Sequence, residues 1–110
     1  MPGVLCADYQ IVSAILKTAN SPNASTLALT LNNTGHADLM ILSISVDNNN
    51  SVDVQNIPKI PAGTTTNLLI QLPSTLYIVA HQNYSVTVVA VAMTTQGNAT
   101  LPRQITIVAQ

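Results

Sequence analysis

Apolar and polar residues alternate along this chain in short runs, separated by clusters of Asn, Asp, Ser, Pro and Gly. A period of two puts successive side chains on opposite faces of a strand, whereas a helix needs a period near 3.6. The first run, Tyr9 to Thr18, fits both patterns, and its β-branched Ile11, Val12 and Ile15 favour a strand. Thr26 to Asn32 sets Leu27, Leu29 and Leu31 against Ala28 and Thr30, which predicts a half-buried strand. Asp38 to Val46 predicts a third, with Met40, Leu42, Ile44 and Val46 on one face and Leu39 and Ile41 on the other. Between them lies a polar turn, Asn33 to His36, in which Gly35 lets the chain reverse.

The same reading continues to the end of the chain. "DNNNS" closes the third strand, Ser51 to Ile57 predicts a short fourth, and Pro58 and Pro61 mark a loop. Thr64 to Leu72 predicts a fifth strand ended by Pro73, while "STLYIVAHQ" fits either a single helical turn or an edge strand. Tyr84 to Met93 alternates cleanly and then becomes apolar on both sides, the pattern of a central strand. After "TTQGN" the last strand runs from Arg103 to Ala109. About seven mostly antiparallel strands predict an all-β, immunoglobulin-like β-sandwich, without the Cys and Trp marks of antibody domains.

Composition agrees with a β fold and narrows the function. At 110 residues there is room for one domain, with residues 1–8 as an N-terminal lead and residues 9–110 as the sandwich. Hydrophobic residues make up 47% and charged residues 6%, with no Glu, so the wet surface must be built from Asn, Ser, Thr and Gln. Helical polar faces rely on Glu, Lys and Arg, which are scarce here. Lys17, Lys59 and Arg103 are scattered among Asp8, Asp38, Asp47 and Asp53, which leaves no basic footprint for nucleic acid. Cys6 is the only cysteine, so the fold stands without an internal disulfide. No stretch is long and apolar enough to span a membrane.

Candidate chemistry is thin. His36 and Asp38 stand two apart on one face, but no third ligand is spaced to join them, so no metal or cofactor is expected. Ser, His and Asp are present without a nucleophile elbow, and the four glycines form no phosphate loop, so the chain reads as non-enzymatic. Five Asn-X-Ser/Thr sequons, at Asn23, Asn32, Asn49, Asn83 and Asn98, fall at turns or strand ends and are candidate glycan acceptors. Glycosylation implies export, and the absence of an export signal points to an N-terminal segment replaced by Met1. "LMIL", "NLLI" and "VVAVAM" carry apolar groups on both faces, more than an isolated two-sheet domain can bury. Leu39, Ile41, Val89, Val91 and Met93 are the candidates for an outward self-association face.

The hairpin "LALTLNNTGHADLMILSISV" resembles a pattern of archaeal surface filament proteins: a strand ending in N-x-G, here Asn33-Thr34-Gly35, followed by alternating apolar residues. "IPKIPAGTTTNLLIQLP" and "NYSVTVVAVAMTTQGN" look like later segments of the same families. The resemblance covers about residues 9–108 and points to the archaellum accessory (stator) proteins of the F and G type, relatives of archaeal type IV pilins and archaellins. It implies a structural domain outside the cytoplasmic membrane that forms homo-oligomers or filaments, meets other archaellum or pilus subunits, and contacts the S-layer. The N-terminal hydrophobic helix of these families has no counterpart here, so the expected membrane contact is only through a missing anchor. The globular domain of a pilin or archaellin subunit is the alternative within the same class. A carbohydrate-binding module and a viral capsid domain are the alternatives outside it.

Overall fold

The computed structural model describes residues 6–18 and 25–110. Six strands are formed among them: β1 (Gln10–Lys17), β2 (Thr26–Asn32), β3 (Leu39–Val46), β4 (Thr65–Gln71), β5 (Asn83–Thr94) and β6 (Gly97–Val108). They pair antiparallel into two three-stranded sheets, β1-β2-β4 and β3-β5-β6. No helix is present among the described residues, and so none that could cross a membrane. Leu16, Leu27, Leu29 and Leu31 of one sheet and Leu39, Ile44, Val86 and Val88 of the other are fully buried in a single hydrophobic cluster. Each such side chain contributes roughly 1.5–3 kcal/mol relative to exposure.

β5 is central in its sheet, flanked by β3 and β6, as its two apolar faces predict. The structure departs from the expectation in four places. Residues Ser51 to Ile57 form no strand; Asp53 turns its carboxylate back to the Gln55 N–H at 3.0 Å, and the Ile57 N–H bonds the Val54 carbonyl at 3.2 Å. Those local bonds take the backbone groups that a ladder would use. Val52 is still buried, and the loop lies beside Leu68–Gln71 across a groove of about 290 Å³. "STLYIVAHQ" forms turns, neither helix nor strand.

β6 begins at Gly97, well before Arg103. A two-residue hairpin, Thr95 and Gln96, joins it to β5, and Gly97 takes a φ of 121° that an L side chain resists. Pro102 sits inside the strand opposite Val89. β6 is an edge strand, where a missing N–H is tolerated.

The fourth departure concerns β3. Its register against β5 shifts between Ile41 and Ser43, so Leu42 is an extra residue in the ladder. A bulge of one residue moves everything after it to the other face. Leu39 and Ile41 before the shift and Ile44 and Val46 after it all point into the core, while Met40 and Leu42 point out. The expected grouping of Met40 and Leu42 with Ile44 and Val46 is therefore split by the bulge.

Candidate functional site

The polar turn between β2 and β3 is organised by Asn33, a fully buried side chain. Its Nδ2 donates to the carbonyls of Ala37 at 2.9 Å and Ile60 at 3.0 Å, and its Oδ1 accepts from the Gly35 N–H at 3.1 Å. Its backbone bonds both ways to the 58–64 loop, from its N–H to the Thr64 carbonyl and from the Gly63 N–H to its own carbonyl, each at 2.9 Å. One amide thus joins the turn to a loop distant in sequence. Sequence reading placed Asn33 in the turn without this role, because nothing local distinguishes it from Asn32.

Gly35 is needed for close approach, which corrects its expected role in reversal. A Cβ there would stand 2.6 Å from the Cys6 carbonyl oxygen and 2.7 Å from the Asp8 nitrogen. Residues 6–8 lie directly on the turn, where the His36 N–H donates to the Cys6 carbonyl at 2.7 Å and the Gly35 N–H to the Asp8 carbonyl at 3.2 Å. His36 is exposed, and the Asp38 carboxylate accepts the Ala62 N–H at 3.1 Å. No group of three or more His, Cys, Asp or Glu among the described residues is placed to hold a metal ion.

A second polar seam joins the start of β1 to β6. Tyr9 is fully buried, with its hydroxyl 2.7 Å from the Leu101 carbonyl and 3.0 Å from that of Val88. Arg103 stacks over the Tyr9 ring at 5.0 Å, donates from Nε to the Tyr9 carbonyl at 3.1 Å, and pairs with Asp8 at 2.7 Å. The Arg103 hydrogen bond, aided by the Tyr9 N–H, holds the Asp8 carboxyl below its ordinary value. Burial pushes the Tyr9 phenol up to about 12, and the nearby guanidinium opposes that shift. A cleft of about 400 Å³ opens beside the seam, lined by Asp8 to Ile11 and Arg103 to Ile105.

The expected self-association residues divide. Leu39 and Ile41 are inward, at 0% and 5% exposure, which corrects their expected place on the outer face. Val89, Val91 and Met93 lie on the outer side of β5, opposite the core-facing Val88, Ala90 and Ala92. Met40, which pairs with Val91, and the bulged Leu42 complete this side, at 39% and 47% exposure. The two residues missed as outward were hidden by the bulge. Ser43 and Ser45 carried its signal: without a change of phase, both serines would share the inward face of Leu39 and Ile41.

Of the sequon asparagines, Asn23 lies outside the described residues. Asn83 and Asn98 are exposed near the starts of β5 and β6. Asn32, at the end of β2, and Asn49, in the turn after β3, are half-buried. The Asn49 Oδ1 accepts the Ser51 N–H at 3.0 Å and the Ser51 hydroxyl at 2.5 Å. Asn98 pairs directly with Met93 at the end of the β5–β6 hairpin, so a glycan there would stand over one end of the apolar face.

Compared with known proteins, no family model matches the chain, and no curated protein is similar to it.

Proposed function

We propose that this chain is a non-enzymatic structural domain of an archaeal cell-surface motility apparatus, a stator component that bears load outside the membrane. The reading starts from the N-x-G turn and strand patterns, which resemble those of archaellum accessory proteins. The strand orders β1-β2-β4 and β3-β5-β6 are those an immunoglobulin-like sandwich would have, which supports the finer description of the fold. A protein of this kind works by holding geometry, and it needs a stable contact with copies of itself or with the S-layer.

The observation that carries the reading is the outer side of β3-β5-β6. Met40, Leu42, Val89, Val91 and Met93 form one apolar block there, and Val91 is only 7% exposed because its neighbours on this side cover it. These side chains face away from the core, and on the self-associating reading proposed here their occupant is a second copy of this chain. The opposite sheet also exposes apolar side chains, Val12 on β1 and the row Ile15, Ala28 and Leu69, but polar Ser13, Thr30 and Asn67 and Lys17, Thr26 and Gln71 flank that row on both sides.

Sedimentation of the full chain over a range of concentrations tests this. The wild type is expected to associate, and Met40→Lys with Leu42→Lys to give monomers with unchanged circular dichroism. Leu69→Lys, on the other sheet, should leave association intact. A wild type that stays monomeric at high concentration, or a double variant that associates normally, overturns the reading.

A further inference from the structure

We infer that β1 and β6 form a shear clamp that resists tension applied along the chain, from the residues before β1 to the residues after β6. The two strands belong to different sheets and meet along one side of the molecule. At one end, the Gln110 N–H donates to the Leu16 carbonyl at 2.8 Å, and the Gln110 carbonyl accepts the Thr18 N–H at 3.0 Å. One residue bonded to both neighbours of its partner is the pattern of parallel strands. At the other end, the Tyr9 hydroxyl reaches the Leu101 carbonyl at 2.7 Å, and Arg103 Nε donates to the Tyr9 carbonyl at 3.1 Å. The strands therefore run side by side in the same direction, tied by a backbone clasp at one end and a side-chain clasp at the other.

Direction decides the mechanics. Tension from the two sides of the chain pulls β1 toward its N-terminal end and β6 toward its C-terminal end, which for parallel neighbours are opposite directions. The strands must slide past one another, so both clasps are loaded together and have to fail nearly together. Pulling from two points at the same end would open the clasps one after the other. Forced unfolding reads this difference because it is governed by the barrier to unfolding and not by equilibrium stability. The clamp deepens the load-bearing reading and rests on it for its use, though not for its strength.

Single-molecule force spectroscopy on the whole chain, held between carrier domains, tests the clamp. In a Cys6→Ser background, one geometry pulls through both chain ends, and the other through the N-terminal end and Gln96→Cys, beyond the Tyr9 end of the seam. The end-to-end geometry is expected to unfold at a force about twofold higher or more, since unfolding under force follows the barrier along the pulled direction. Gln110→Pro, which removes the N–H bonded to Leu16 at the far end, should lower only the end-to-end force, and Tyr9→Phe with Arg103→Ala should lower the end-to-end force more than the other. Equal forces in the two geometries, or clasp variants that lower both forces alike, overturn the clamp. That outcome leaves the association face standing, and a monomeric wild type in sedimentation leaves the clamp standing.

Discussion

Two polar regions tie distant parts of this chain together, and they do so under opposite conditions. The Asn33 amide is fully buried, with its donors and acceptor all satisfied by backbone groups, the Ile60 carbonyl also accepting from the Leu39 N–H and the Gly35 N–H also reaching the Asp8 carbonyl. The Asp8–Arg103 pair has its side chains 53% and 34% exposed, where water competes for every bond. A buried group left unpaired costs its full desolvation, whereas an exposed ion pair is worth little. The region without charge is therefore expected to matter more for stability than the one with it. Tyr9 stands between the two cases: its hydroxyl is buried although its neighbour Asp8 is not.

The largest effect is expected at Asn33. Asn33→Ala takes the side-chain partner from the buried Ala37 carbonyl and one of two partners from the Ile60 carbonyl and the Gly35 N–H, and should cost about 2–3 kcal/mol, read from the urea midpoint. Asn33→Asp keeps the shape but turns a donor toward two carbonyls into an acceptor, and should be worse at neutral pH than at pH 3. If both variants are nearly as stable as the wild type, the contrast between the two regions fails.

Gly35→Ala comes next, because its Cβ meets backbone on residues 6–8 and backbone cannot rotate away. The expected loss is about 1–3 kcal/mol, accompanied by faster hydrogen exchange at the His36 amide. Tyr9→Phe removes the hydroxyl while keeping the ring, for an expected loss of about 1–2 kcal/mol. It also changes the alkaline limb. With the folded phenol raised from 10.0 to about 12, the wild type keeps the neutral phenol's contribution below pH 10 and loses it as pH rises toward 12. Thermal melts from pH 9 to 12 should fall less steeply for Tyr9→Phe.

Arg103→Gln sharpens the contrast from its weak side. The Asp8 carboxyl is held below 3.8, so its pairing supports the fold above that pH and is lost as pH falls through its lowered folded value. Melts at pH 7 should show only a small loss for the variant, with the difference from wild type shrinking as the pH falls below 3.8. A large loss at pH 7 would mean that this exposed seam carries more than the buried one.

Much of the fold was legible in the period-two pattern. The inward face of β2, the central place of β5, the turn before β3 and the existence of β1 and β4 as strands all follow from the runs. Ser51 to Ile57 misled because its alternation of Val and polar residues satisfies the strand pattern, while Asp53 supplies a local bond that ends it. The candidate site was half legible. Val89, Val91 and Met93 follow from strict alternation along β5, but Leu39 and Ile41 were assigned by a phase that the bulge resets.

The sequence by itself determined the class of elements and the apolar face of β2. Alternation, the lack of Glu and the scarcity of charge leave strands as the only way to bury 47% hydrophobic residues in 110. Tertiary structure alone decided which face of β3 turns outward, what Gly35 is for, and that Asn33, Tyr9 and Arg103 join segments far apart in the chain. Local pattern records what each residue prefers, and none of these facts is local. Each is set by a neighbour that the chain brings back only after it has folded.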